Sequence, residues 1–174
     1  MFLTKSRSVI AFSVALCMVL IASATAAVTG WHGLSQSQRN SAIVNRAQQD
    51  LGDYVNMQCK EWVREVVRDA SDDAVIIPAT RPNGYRWYSH PYIQSYSQGC
   101  PPPGVGPGRI IQMVWHNQNG NALPHTAIVL STTSSGMTWI DCNWNGDGCV
   151  RTHYVSYLQF QTSVGTEYTL YRIQ

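Results

Sequence analysis

Beyond its N-terminal segment, this chain of 174 residues has no excess of charge of either sign. Lys5 and Arg7 are the basic residues of that segment, so the twelve Lys and Arg fall to ten beyond it, against ten Asp and Glu. A neutral domain gives no reason to expect electrostatic capture of nucleic acid or of an anionic membrane surface. Internal repeats and long runs of like charge are also missing, and the length suits one domain with a core of its own rather than two. Histidine is scarce, and His32, His90, His116 and His153 fall at no spacing that would build a zinc site, which leaves surface or packing roles for them. No metal and no cofactor is expected.

Long apolar runs are absent except at the start. Lys5 and Arg7 precede an apolar run over residues 9–21, and Ala22-Ser23-Ala24-Thr25-Ala26-Ala27 follows it. That is the form of a secretory signal peptide, with cleavage after Ala24, Ala26 or Ala27. An uncleaved anchor is the alternative, but the run is short for a membrane span. Residues 1–26 are therefore read as a signal peptide and 27–174 as the folded domain, secreted or periplasmic, without stable membrane association once the signal is removed.

Export limits what the cysteines can be. Cys17 leaves with the signal, and Cys59, Cys100, Cys142 and Cys149 remain in a compartment where disulfides form. Two bridges would consume Cys59. A single bridge between Cys142 and Cys149, across a turn-rich loop, would leave Cys59 and Cys100 free. The pairing is not readable from the sequence.

What is present is a clear change of periodicity along the chain. After a loose lead-in through Leu34, Ser35 or Ser37 can cap a helix running to about Asp50, with Ile43, Val44, Ala47 and Leu51 facing inward. Gly52 is a natural stop. A second helix opens near Cys59 and ends near Ala70: Cys59, Trp62, Val63, Val66 and Val67 fall on one face, and Lys60, Glu61, Arg64, Glu65 and Arg68 on the other. From about residue 78 to 108, proline, glycine and aromatics replace any period, apart from a short helix expected near residues 92–96. Those aromatics, Tyr85, Trp87, Tyr88, Tyr92 and Tyr96 among them, either line a substrate groove or cap the core. Beyond Gly108 the period becomes two, predicting strands over 109–116, 125–131, 137–143, 150–156 and 167–173. Helices followed by hairpin-linked strands make an α+β plan, N-terminal helices on an antiparallel sheet of about five strands.

Cys59 is the residue around which chemistry could be built. In the first turn of a helix, unpaired backbone N–H groups and the macrodipole favour an anion, which lowers a thiol's pKa. A nucleophilic thiol needs a base. His125 opens the apolar strand His125-Thr126-Ala127-Ile128-Val129-Leu130, where a side chain can stand at the sheet's rim. In Trp139-Ile140-Asp141-Cys142-Asn143, alternation puts Asp141 and Asn143 on one face, so either could accept Nδ1–H of His125 and leave Nε2 for the thiol. The plain alternatives are a buried inert thiol, a surface histidine and a pair of turn residues.

Gln58-Cys59 with Trp62 at a helix start, then Gly108-Arg109-Ile110-Ile111, His125-Thr126-Ala127-Ile128-Val129 and Asp141-Cys142-Asn143, resembles the CHAP-type cysteine amidohydrolases and peptidases, relatives of the NlpC-type cell-wall hydrolases. The resemblance spans residues 51–143. It implies a papain-like core, Cys59 as nucleophile, His125 as base, and Asn143 or Asp141 as the orienting group, with Asn143 preferred. Gln58 and Trp62 are placed on the oxyanion and substrate side. The implied activity is hydrolysis of an amide bond in peptidoglycan, by an amidase or endopeptidase. Departures from the pattern are Arg109 in place of an acid, Pro124 in place of glycine, and Asp141 in place of Glu.

One competing motif overlaps the last segment. Asp141, Asn143, Asn145, Gly146 and Asp147 have the alternating oxygens and glycine of a calcium loop, but Thr152 stands where an EF-hand has Glu. A non-catalytic binding module of the same fold, stapled by disulfides and carrying a structural calcium, is the alternative reading.

Overall fold

The structure is a computed structural model that describes residues 30–79, 86–87, 90–96 and 99–174. The signal-like segment lies outside the described residues, as do Tyr85 and Tyr88 of the aromatic stretch.

Helix α1 spans Gln36–Gln49 and begins with a capping box: the Ser35 hydroxyl accepts from the Gln38 main chain while the Gln38 side chain accepts from Ser35 N–H. It buries Ile43 and Ala47, whereas Leu51, expected on the same stripe, is exposed because the helix has already ended. A short 3-10 turn, Trp31–Gly33, precedes it in what the sequence presents as a loose lead-in, and Trp31 is buried there. Helix α2, Cys59–Ala70, buries Trp62, Val63, Val66 and Val67, the face that the period of 3.6 predicts. A third helix, α3, Tyr157–Ser163, is capped by Ser156 and packs Phe160 into the core.

Six strands form one sheet: β1 Ile93–Tyr96, β2 Ile110–His116, β3 Ala122–Thr132, β4 Gly136–Cys142, β5 Val150–Ser156 and β6 Tyr168–Ile173. Their order is β1-β6-β2-β3-β4-β5 and every pairing is antiparallel. The helices and sheet make an α+β fold with the arrangement of a papain-like core. The sixth strand is β1, in place of the short helix expected near residues 92–96, because the segment pairs with the C-terminal strand (Ile93 with Ile173, Tyr96 with Leu170).

Alternation sorts the sheet into two faces. Ile110, Ile128, Ile140, Cys142 and Val150 pack with α1 and α2 in one cluster. Ile111, Met113, Ala127, Val129, Met137, Trp139 and Val155 form a second cluster with α3. Trp87 is buried, with its N–H donating to Gln112 Oε1 at 2.7 Å and its ring edge-on to Tyr171. It caps the core rather than lining a groove.

The entry to α2 is tied to the far edge of the sheet. Gly52 N–H donates to the Val150 carbonyl at 3.0 Å, Val150 N–H to Asp53 at 2.9 Å, and Val55 N–H to Gly148 at 2.9 Å. Gly148 is at φ +73°, and a Cβ there would sit 2.6 Å from the Val55 carbonyl oxygen. Only glycine lets the loop after β4 approach the chain that leads into Cys59 so closely.

Candidate active site

Cys59 is the first residue of α2, with Gln58 as its cap residue. Its thiol is partly buried and faces His125 and the main chain at Thr126 and Lys60. Burial by itself opposes the thiolate, but His125 and the neighbouring main-chain N–H groups outweigh it, and the Cys59 pKa falls below the ordinary thiol value.

His125 reaches this position from β3. Only 7% of its side chain is exposed, and its Nε2 lies 3.4 Å from Oδ2 of the fully buried Asp141. Burial of the imidazole disfavours its charge, yet Asp141 and Cys59 together raise its pKa to about 9. Asp141 is held below its usual range: burial opposes its ionisation, and His125 and His153 overcome that. The 3.4 Å contact is an ion pair rather than an aligned hydrogen bond. With Nε2 directed at the carboxylate, Nδ1 is the nitrogen left to serve the thiol. That reverses the sequence expectation, which gave Nδ1 to the orienting group.

Register explains why Asp141 is there. Ile128 pairs with Ile140 and the strands run antiparallel, so Ala127 stands opposite Asp141 and His125 is the diagonal neighbour on the same face. Asn143 does not share that place. The strand ends at Cys142, and Asn143 is at φ +64°, in the left-handed region, so alternation no longer applies to it. Its Nδ2 donates to Gln58 Oε1 at 3.0 Å and its Oδ1 accepts from Gly148 N–H at 3.0 Å. Asn143 therefore fixes the Gln58 side chain, and the structure brings Asp141, not Asn143, to His125.

Trp62 is a further correction. Although expected on the substrate side, it is 1% exposed, and its Nε1–H donates to Asp50 Oδ2 at 2.8 Å. Its place on the apolar stripe of α2 puts it in the core. Gln58 is exposed beside the thiol and opens onto a cleft of about 440 Å³ that Tyr54, Met57, Glu61, Asn143 and Asp147 also line.

Among the described residues no disulfide is formed: Cys59, Cys100, Cys142 and Cys149 are all free thiols. Cys142, for which a bridge to Cys149 is one of the pairings the sequence allows, points instead at the Met57 carbonyl (3.6 Å), while Cys149 points at the Gly52 carbonyl (3.9 Å). Burial first, then nearby negative charge, pushes the Cys142 pKa up to about 12, which makes it an inert thiol. The calcium reading of the loop fares no better. Asp141 faces histidines, Asn143 is engaged with Gln58 and Gly148, and both carboxylate oxygens of Asp147 are taken by Arg151 at 2.8 and 2.6 Å. These donors do not converge, so the loop does not fit a calcium ion.

Two residues near the site carry no signal in the sequence reading. His153 on β5 places Nε2 3.6 Å from the same Asp141 oxygen. Trp144 stands edge-on to His125 with ring centres 4.8 Å apart and lies 5.1 Å from the His153 ring. Pairing of Trp139 with His153 across the hairpin is the signal that could have found the histidine.

No protein-family model matches the chain, and no curated protein matches it by sequence. Solved structures do. The chain is similar in fold to Ly7917, in a crystal structure with the hydrolyzing product of MDP: 15% identity, a TM-score of 0.56, and coverage of 77% of this chain and 63% of that one. A second crystal structure of Ly7917 gives 16% identity and a TM-score of 0.55, covering 75% and 61%. Type 6 secretion amidase effector 2 (Tae2) aligns more loosely, at 14% identity and a TM-score of 0.41, over 74% of this chain and 92% of that one. The likeness to Ly7917 is one of fold, and this chain spans less than two thirds of the Ly7917 chain.

Proposed function

We propose that this protein is an exported cysteine hydrolase that cleaves an amide bond of peptidoglycan, as an amidase or endopeptidase. The observation that carries the reading is the line Cys59–His125–Asp141, in which a helix-start thiol of lowered pKa contacts an imidazole that a buried carboxylate holds protonated. A thiolate beside an imidazolium is the resting form of a cysteine nucleophile.

In the proposed reaction the Cys59 sulfur attacks the amide carbonyl carbon. The carbonyl oxygen takes up negative charge against main-chain N–H groups at the start of α2, with the Gln58 side chain alongside. His125 gives its proton to the departing amine, and the C–N bond breaks to leave a thioester. His125 then takes a proton from water, which attacks the thioester and releases the acid and the thiolate. Asp141 holds the ring and its charge throughout.

The substrate class is supported by the motif resemblance to CHAP-type and NlpC-type enzymes and by the fold shared with Ly7917, which was crystallised with the hydrolyzing product of MDP. Peptidoglycan lies outside the cytoplasm, which agrees with the signal-like N-terminal segment and a secreted or periplasmic location. The alternative of a disulfide-stapled binding module loses its support, since all four thiols are unbridged. The test is amine release from purified cell walls by the wild-type protein and Cys59→Ala. New amines should appear with the first only, and equal release by a folded Cys59→Ala protein would refute the proposal.

A further inference from the structure

Asp141 is fully buried, yet neither of its carboxylate oxygens has an aligned hydrogen bond. A carboxylate in that position would take up a proton unless positive charge or polarised N–H groups faced it. Two imidazoles do so. Nε2 of His125 lies 3.4 Å from Oδ2 on one side, and Nε2 of His153 lies 3.6 Å from the same atom on the other. Each of these nitrogens is buried and has no other partner.

The placement follows from the sheet. Asp141 is on β4, and Arg151 is its direct partner on β5. His153, two residues on, is therefore its diagonal neighbour on that side, as His125 is on the β3 side. Trp144 packs against both rings, at 4.8 Å from His125 and 5.1 Å from His153. Only 24% of the His153 side chain remains exposed.

Building on the catalytic reading above, we infer that His153 is a positioning residue of the active site: it keeps Asp141 ionised and fixed against His125, and so acts on Cys59 through two intervening groups. Its own contacts are with Asp141 and Trp144. The titratable and charged groups around this assembly are Cys59 and Lys60 on α2, His125 on β3, Asp141 and Cys142 on β4, and Arg151 on β5; Lys60, with its pKa lowered to about 8 by burial, is unchanged in every variant compared. Arg151 is taken up by Asp147, at 2.6 Å. That leaves His153 as the partner through which Asp141 can be tuned without touching the nucleophile's base. Without His153, Asp141 protonates more readily, His125 loses its anionic partner, and the Cys59 thiolate becomes harder to form.

The experiment uses the full chain and two substitutions. His153→Phe keeps a ring against Trp144 and removes the N–H; His153→Gln restores an N–H donor. The first readout is the rate at which iodoacetamide labels Cys59 as a function of pH, followed on the Cys59 peptide. The inflection should move to higher pH in His153→Phe and return toward wild type in His153→Gln. Amine release should fall in kcat by roughly 10–100-fold for His153→Phe, the scale seen when an outer partner of a functional histidine is lost, with KM little changed. An unshifted inflection in folded His153→Phe, or an equal shift in both variants, would overturn the inference. A further measurement needs no substitution: the ring resonances of His153 in the wild-type protein should move when Cys59 is alkylated, and immobile resonances would also count against it. The labelling needs no substrate. If it behaves as described while wild-type protein leaves walls untouched, the positioning role stands and the hydrolase reading falls.

Discussion

Nε2 of His125 lies 3.4 Å from Oδ2 of Asp141, with the carboxylate buried and the ring nearly so. In the proposed site that contact leaves Nδ1 for Cys59 and gives the orienting role to Asp141 instead of Asn143. Asp141→Asn should fold and lose roughly 10²–10⁴-fold in kcat, because the amide cannot hold the imidazolium charge. Asn143→Ala should keep the pH dependence and act instead through Gln58, whose side chain it releases. Steady-state kinetics of the two variants across pH distinguish these roles.

The proposed active form pairs a Cys59 thiolate with a protonated His125. Activity should therefore rise with pH through a value below the ordinary thiol pKa and decline as His125 loses its proton near 9. Stability follows the same group. The folded-state pKa of His125 is raised from 6.5 to about 9, so its contribution is fully present below 6.5 and lost as pH rises through 9. Urea unfolding at about pH 6 and about pH 10 should give the lower midpoint at the higher pH, and His125→Ala should flatten that difference.

Trp62 should behave as a core residue and not as part of the substrate site. Trp62→Ala should cost about 3–5 kcal/mol in denaturant unfolding. Trp62→Phe removes the bond to Asp50 Oδ2 at a cost of about 1–3 kcal/mol and should leave KM unchanged.

Gly148→Ala tests the link between the loop after β4 and the entry to α2. The left-handed conformation alone costs about 1–2 kcal/mol for a residue with a Cβ, and the 2.6 Å approach to the Val55 carbonyl adds to that. Thermal unfolding should report the loss. Because Asn143 bonds both Gly148 and Gln58, kcat should drop as well.

The parts of the fold governed by local period were legible in the sequence. The stripe Trp62, Val63, Val66 and Val67 marks α2, and Ser35 or Ser37 marks the start of α1, the structure using Ser35, because capping and burial act over one or two turns. What was not legible depends on contacts distant in sequence. Strand β1 is defined by pairing with β6, about eighty residues away, and its own residues show no alternation. Asp141 and Asn143 looked equivalent only while alternation was extended past Cys142, where the chain turns left-handed. His153 falls at no metal-site spacing, and its position relative to Asp141 is a matter of hairpin register, which spacing along the chain does not show. Trp62 was misplaced by the motif it belongs to, although its own periodicity put it inside.

The most direct measurement is to quench the protein in acid during turnover with peptidoglycan fragments and map any covalent adduct by mass spectrometry. The account predicts an acyl group on the Cys59 peptide, absent from Cys59→Ala and from protein first blocked with iodoacetamide. Continued turnover by the blocked protein, or an adduct on another residue, would contradict it.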